Sequence, residues 1–263
     1  MRLVTDYLDD IVRQYPEKIA FANEQDSMTF AQVQESARKL AVGLSKKDVF
    51  KQPVAVFMEK SPACITSFLG VAYSGNFYTP IDTKMPVSRI QKIIETLSPA
   101  VVITNRHLLS SAKQIFDGYD ILIYEELEAD IDDYEILASV KLKQQDTDLL
   151  YVLFTSGSTG IPKGVTISQQ AVIDYVEWIT AAFSFDNHTV FGNQSPLYFD
   201  VSLQDIYVPL KMGATTYLIE QEKFSFPIRL LEYLKEKHVN TIFWVPSALI
   251  LVANLKALGR VNL

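Results

Sequence analysis

The sequence predicts an α/β fold in which mostly parallel sheets are flanked by helices. Short apolar, β-branched runs alternate with segments whose apolar residues recur at helical spacing along the 263 residues. Hydrophobic residues make up 48% of the chain, enough for a substantial core. Neither a Pro/Gly-rich linker nor an internal repeat divides it. We therefore expect one folded unit over residues 1–263, built from two closely packed halves, 1–147 and 148–263.

The first half is expected to alternate strands with helices. Ser61 is a candidate N-cap, with Pro62 at the first position of the helix that it begins. Apolar residues at helical spacing predict a helix over residues 86–97. The predicted strands are 53–59, 77–81, 100–104 and 120–124. Residues 125–145 are acidic and weakly patterned, which indicates a surface connection.

The second half repeats this alternation, which implies parallel pairing with helices on both faces of the sheet. Ser168 is a candidate N-cap for a helix over residues 168–183. Further helices are predicted over 201–212, 226–237 and 246–258. The predicted strands are 148–154, 189–193, 215–219 and 241–245.

Charge and composition exclude several classes of function. The net charge of −7 and the lack of a basic block argue against nucleic-acid binding. The single cysteine, Cys64, excludes an internal disulfide and indicates a reduced compartment. The N-terminus does not resemble a signal peptide, and no apolar run reaches the roughly 18 residues of a membrane span. These features favour the cytoplasm.

A loop rich in glycine and hydroxyl residues, TSGSTGIPKG, follows a predicted buried strand at residues 155–164. Ligands of open α/β sheets bind at the carboxyl ends of strands. Glycines let backbone N–H groups face an anion, hydroxyls add donors, and Lys163 adds a positive charge. The pattern suits a phosphate chain, although Pro162 before Lys163 excludes a Walker A loop. A surface turn of ordinary turn-forming residues is the alternative.

This ten-residue motif is similar to the signature loop of the adenylate-forming enzymes, which include acyl-CoA synthetases and nonribosomal peptide synthetase adenylation domains. Residues 28–33 (MTFAQV) and 69–82 (LGVAYSGNFYTPID) resemble two further elements of that superfamily. The resemblance implies the N-terminal part of the large domain of such an enzyme, with ATP and Mg²⁺ bound. The implied phosphate-binding residues are Thr155, Ser156, Gly157, Ser158, Thr159, Gly160 and Lys163.

The substrate end of the site is indicated by residues 199–202, FDVS. In the amino-acid branch of the superfamily the matching aspartate pairs with the substrate ammonium, which assigns that role to Asp200. The alternative is that Asp200 only caps the following helix. The resemblance also places Val201, Gln204 and Phe243 on the side-chain pocket, where Val201 and Phe243 favour a small amino acid. Residues 199–207 look closest to the D-alanine–carrier protein ligases.

Aromatic and turn residues near these motifs carry a second set of expectations. Tyr198 and Phe199 could stack near the bound adenylate, although adjacent aromatics are more often core residues. Tyr78, Pro80 and Asp82 are interpreted as a structural turn after a strand. No histidine shows metal-ligand spacing, and no protein-held metal is expected.

The resemblance covers only about half of the superfamily's length, and the matched half contains none of its catalytic residues. We therefore expect a small amino acid to be activated by the longer protein and transferred to a carrier-protein thiol. The 263 residues alone should make little adenylate, and exposed apolar surface should promote self-association. Two alternatives stay open: an acyl-CoA or aryl-acid ligase, and a non-catalytic protein that binds a nucleotide or an amino acid.

Overall fold

The computed structural model describes residues 2–127, 134–155 and 162–254. Within these ranges the strands form two sheets flanked by helices, which confirms the predicted fold class. The strands are β1 Ile19–Ala22, β2 Ser27–Thr29, β3 Pro53–Phe57, β4 Phe77–Ile81, β5 Val101–Thr104, β6 Ile121–Ile123, β7 Leu149–Thr155, β8 Lys163–Ser168, β9 Val190–Asn193 and β10 Thr215–Leu218. The helices are α1 Val4–Gln14, α2 Phe30–Ser45, α3 Pro62–Tyr73, α4 Val87–Leu97, α5 Leu109–Ile115, α6 Glu135–Lys143, α7 Gln169–Ala182, α8 Leu203–Met212, α9 Pro227–Glu236 and α10 Pro246–Asn254.

The larger sheet has the strand order β6-β5-β3-β4-β7-β8. Its first five strands pair in parallel, and β8 returns antiparallel to β7. The central strand β3 is buried along most of its length, as expected for a parallel sheet covered on both faces. The smaller sheet has the order β2-β1-β10-β9, with β10 parallel to both β1 and β9. Both sheets therefore draw strands from both halves of the sequence.

The main core draws buried residues from both sheets and from the helices α1, α2, α3, α7 and α8. Helices α2 and α3 pack closely because Gly70 has no side chain. A Cβ at Gly70 would lie 2.5 Å from Cδ2 of Leu40, which is too close for any larger residue. No helix in the described ranges is both long and apolar enough to span a lipid bilayer.

Two predicted N-caps are confirmed. The hydroxyl of Ser61 accepts a hydrogen bond from the backbone N–H of Cys64 at 3.2 Å, and Pro62 begins α3. The hydroxyl of Ser168 accepts from the N–H of Ala171 at 3.2 Å and begins α7. Both signals are local, because each cap bonds within three residues of itself.

Other sequence expectations were wrong or incomplete. Residues 241–245 do not form a strand: within them Thr241 makes an isolated bridge to Phe191, and α10 begins immediately afterwards. The predicted surface connection at 125–145 contains the helix α6. Strands β1, β2 and β8 and helices α1, α2 and α5 were not predicted. The last part of the predicted helix 246–258 lies outside the described residues.

Candidate functional site

The predicted phosphate loop connects the antiparallel strands β7 and β8. Thr155, the last residue of β7, is directly opposite Lys163, the first residue of β8. The Thr155 hydroxyl donates to the backbone carbonyl of Lys163 at 3.5 Å. The predicted phosphate-binding residues between them lie outside the described residues: Ser156, Gly157, Ser158, Thr159 and Gly160. The loop thus follows the carboxyl end of β7, as the sequence predicts, but the strand after it returns antiparallel to β7.

Lys163 is available for an anion. Its side chain is exposed, and it has no ion pair or side-chain hydrogen bond with any residue that the structure describes. Gly164 has a packing role instead, because a Cβ there would lie 2.8 Å from Cγ1 of Val152. The last two residues of the motif therefore serve different purposes in this fold: Lys163 offers a charge, and Gly164 allows β7 and β8 to approach.

A cavity of about 940 Å³ lies beside this hairpin. This volume is within the range of small-molecule sites. Its walls come from the β4–α4 connection, from the β7–β8 hairpin with α7, and from the segment before α8. Of the predicted site residues, Thr155, Asp200 and Val201 line it. One wall thus carries the start of the predicted phosphate loop, and another carries two of the predicted substrate residues, Asp200 and Val201.

Asp200 begins a short 3₁₀ helix, Asp200–Ser202, that leads into α8. Its side chain caps neither helix. Asp200 is exposed, and no described residue gives its carboxylate a hydrogen bond or an ion pair. Two tyrosines of the cavity wall, Tyr151 and Tyr175, have a raised pKa, mainly because they are buried. The negative charge of Asp200 raises both pKa values further. An unpaired carboxylate at a cavity wall can bind an ammonium group.

The other predicted pocket residues differ in position. Gln204 is buried in α8 behind the cavity wall, where its Oε1 accepts a hydrogen bond from the Tyr175 hydroxyl at 3.2 Å. Phe243 is 46% exposed and is not among the residues that line the cavity. Gln204 can therefore affect a ligand through Tyr175, whereas Phe243 has no contact with this cavity.

The cavity wall also includes residues for which the sequence left a structural role open or favoured it. Tyr198 and Phe199 both line it, with ring centroids 4.8 Å apart, and Phe199 is 53% exposed, so it is not a core residue. Asp82 accepts a hydrogen bond from the N–H of Lys84 at 3.0 Å, as a turn residue would, yet it also lines the cavity. Tyr78, by contrast, is buried and its hydroxyl contacts that of Tyr207 at 2.9 Å.

One polar residue of the cavity wall, Arg89, was not predicted from the sequence. Arg89, in α4, lines the cavity, and its Nε is buried without a partner among the described residues. Burial and then Asp82 raise the pKa of Tyr198, while the positive charge of Arg89 opposes them. No local motif marks Arg89, because a single arginine on a helix usually faces solvent. Within the described ranges, no group of three histidine, cysteine or acidic side chains could hold a metal ion.

The chain belongs to the AMP-binding enzyme family, which matches it over residues 8–262. The D-alanine–D-alanyl carrier protein ligase of Bacillus velezensis is 33% identical over 237 residues, covering 88% of this chain and 46% of the ligase. The ligase of the same name from Staphylococcus epidermidis is 29% identical, covering 91% and 47%. Gramicidin S synthase 2 of Brevibacillus brevis is 28% identical over 93% of this chain and 5% of the synthase.

Solved structures agree on the fold. The nonribosomal peptide synthetase FmoA3, in its α-methyl-L-serine-AMP bound form, matches with a TM-score of 0.84 at 24% identity, over 99% of this chain and 28% of FmoA3. VinN in complex with L-aspartate matches with a TM-score of 0.81 at 19% identity, over 97% and 65%. The chain thus spans about half the length of the D-alanine ligases that it matches, 46% in the Bacillus velezensis protein.

Proposed function

We propose that this chain is the ATP- and amino-acid-binding part of a ligase that activates a small amino acid. In that reaction a carboxylate oxygen of the amino acid bonds to the α-phosphorus of ATP, and pyrophosphate leaves. The thiol of a carrier protein then attacks the acyl carbon of the aminoacyl-adenylate, which forms a thioester and releases AMP. Membership of the AMP-binding family and the similarity to D-alanine–D-alanyl carrier protein ligases support this proposal.

The observation that carries the proposal is the unpaired Asp200 carboxylate on the wall of the cavity. It would bind the α-ammonium group, and neighbouring Val201 would contact the side chain. Gln204 would act through Tyr175. Phe243 stays a predicted pocket residue, although it lies outside the present cavity. An amine-free acid bound in the cavity would cover this carboxylate without giving it a partner, which disfavours acyl-CoA and aryl-acid ligase activity.

The phosphate chain of ATP would be held at the other wall. Thr155 and Lys163 stand opposite each other at the ends of the hairpin loop, and the free ammonium of Lys163 fits an anionic group. Ser156 to Gly160 would supply hydroxyl and backbone N–H donors. Mg²⁺ would accompany the phosphates, as it does in most phosphoryl-transfer sites, and supply charge neutralisation there. We place the reaction in the cytoplasm, consistent with the buried, unpaired thiol of Cys64.

The test is amino-acid-dependent exchange of pyrophosphate into ATP by the full-length protein, with D-alanine, L-alanine, glycine, serine and propionate as substrates. Propionate matches alanine except for the amine. We expect exchange with a small amino acid and little with propionate. Equal exchange with propionate would favour the acyl-CoA ligase alternative. ATP binding without any exchange would favour the non-catalytic alternative.

The 263 residues alone should exchange little pyrophosphate and should self-associate. Apolar side chains of the last described segment are exposed by 41–56%: Ile242, Phe243, Leu249, Ile250 and Leu251. Such clustered exposure favours association. We expect Ile250→Lys to lower the average mass of the chain in analytical ultracentrifugation, whereas Ile136→Lys on α6, which is 37% exposed, leaves it unchanged. A monomeric wild-type chain would contradict this.

A further inference from the structure

A largely buried lysine, Lys60, joins the two sheets. Lys60 lies in the connection from β3 to α3, in the larger sheet's part of the chain. Its Nζ donates to three backbone carbonyls: Asn193 at 3.1 Å, Gln194 at 3.3 Å and Ile219 at 2.9 Å. These carbonyls lie at the carboxyl ends of β9 and β10, in the smaller sheet. Three converging acceptors match the three donors of one ammonium group.

Hydrogen bonds near Lys60 also join the two ends of the segment 194–202, which carries Asp200 and Val201. Residues 194–202 leave β9 and enter α8, passing Asp200 and Val201 on the way. The side-chain Nδ2 of Asn193, at one end, donates to Oδ2 of Asp205, beyond the other end, at 2.8 Å. The backbone carbonyl of Asp205 also accepts from the hydroxyl of Thr216 in β10 at 2.7 Å. The segment is therefore a loop with a hydrogen-bonded base, to which Lys60 is attached.

The charges at this base depend on one another. Burial lowers the pKa of Lys60 to about 7, while Asp205 and Glu220 oppose the shift. Burial raises the pKa of Asp205 to about 7, while Asn193 and Lys60 oppose it. Oδ1 of Asp205 and Oδ1 of Asn193 are buried without a hydrogen-bond partner among the described residues. Two acceptors at this base therefore already lack donors, and loss of the Lys60 ammonium would take a donor from the three backbone carbonyls as well.

The walls of the cavity show what this attachment can control. Thr155 lies on the larger sheet, whereas Asp200 and Val201 lie on the loop that leaves the smaller sheet. The distance between the two walls therefore depends on contacts that join the sheets. Lys60 makes three such contacts at the base of the loop.

We propose that Lys60 is a positioning residue for the amino-acid site: it fixes the loop of residues 194–202, and hence Asp200, relative to the larger sheet. The inference rests on the proposed function for its substrate. Lys60 itself does not line the cavity, so it acts through the loop. Its loss should weaken binding of the amino acid more than binding of ATP.

The experiment compares Lys60→Met, Lys60→Arg and Asp205→Asn with Phe116→Leu in the full-length protein. Phe116 is buried in a separate core cluster and serves as a control for general loss of stability. Hydrogen exchange of the amides of residues 194–202 is measured first, because it does not require activity. We expect faster exchange in this loop for Lys60→Met, with an intermediate effect for Asp205→Asn, and protection largely restored in Lys60→Arg.

Pyrophosphate exchange is then measured against amino-acid and ATP concentration. We expect Lys60→Met to raise the KM for the amino acid about tenfold, with the KM for ATP within about twofold of wild type. Lys60→Arg should recover most of the amino-acid KM because it keeps the donors. If Lys60→Met fails to fold, Asp205→Asn should still raise the amino-acid KM about threefold.

Several outcomes would overturn the proposal. Unchanged exchange of residues 194–202 in both Lys60→Met and Asp205→Asn would do so, as would equal KM changes in Phe116→Leu. In another outcome, the wild-type protein activates no amino acid while Lys60→Met still speeds hydrogen exchange of residues 194–202. That result would reject both the positioning role and the proposed function, and Lys60 would only hold the loop in place. Normal wild-type activity with an unaltered KM in both variants would reject the positioning role alone.

Discussion

The hydroxyl of Tyr175 and the side-chain amide of Gln204 form a hydrogen bond of 3.2 Å that links the cavity wall to the buried face of α8. Tyr175 lines the cavity, whereas Gln204 is 3% exposed and does not. Gln204, which was predicted as a pocket residue, therefore orients Tyr175, which no motif identified.

Tyr175→Phe should raise the amino-acid KM of the full-length protein by about threefold and lower its free energy of unfolding by about 1 kcal/mol, because Gln204 loses its donor. Pyrophosphate exchange and urea unfolding measure the two effects. Tyr119→Phe is the control, since no hydrogen bond of its hydroxyl occurs within the described ranges. Equal effects of the two substitutions would contradict a role for this hydrogen bond.

Lys163→Ala should raise the KM for ATP about tenfold, because it removes a positive charge at the end of the phosphate loop. Its free energy of unfolding should stay within about 0.5 kcal/mol of wild type, since the side chain is exposed. Exchange at varied ATP concentration measures the first effect. Lys113→Ala removes an exposed lysine of α5 that does not line the cavity, and it should leave the KM unchanged. A similar KM in the two variants would remove Lys163 from the phosphate site.

Asp9 should make folding of the chain depend on pH. Burial alone would raise the pKa of its carboxyl, but a hydrogen bond from Tyr73 at 2.6 Å and the charges of Arg38 and Lys141 outweigh it, so the pKa is lowered. A lowered pKa in the folded state means stabilisation that is complete above the ordinary value of 3.8 and is lost as the pH falls through the folded value.

Asp9→Asn should therefore cost about 1–3 kcal/mol of unfolding free energy near pH 7, and this difference from wild type should shrink below about pH 4. Urea unfolding across this pH range is the measurement. Asp10→Asn is the matched control, because the Asp10 side chain is 50% exposed and pairs only with exposed arginines, Arg2 and Arg13, among the described residues. A difference that does not change with pH would contradict the charge-based explanation.

Local chemistry made much of the fold predictable. The caps at Ser61 and Ser168 bond to nearby backbone, so their sequence signals are complete in a few residues. Residues 241–245 have the composition of a strand, but a strand also needs a partner, and only Thr241 has one within the described ranges. Residues 163–168 do have a partner, but it is antiparallel, which the alternating strand–helix pattern did not predict.

The candidate site was predictable only where a motif marks it. The motif containing Asp200 placed that residue near the cavity, and the cavity wall includes it. Arg89, Tyr151 and Tyr175 reach the same cavity from separate elements, which a single sequence cannot bring together. The contacts between Lys60 and β9 join residues 133 positions apart, so they follow from the packing of the two sheets and not from any local pattern.

The central claim is that Asp200 selects an amine-bearing substrate. The most direct measurement is kcat/KM for propionate and for the alanine enantiomer that the protein activates, in wild type and in Asp200→Ala. Asp174→Ala, an exposed aspartate of α7 outside the cavity wall, is the control. We predict that Asp200→Ala lowers kcat/KM for alanine by about 100-fold and leaves the low activity with propionate unchanged. Unchanged discrimination between alanine and propionate in Asp200→Ala would contradict the account.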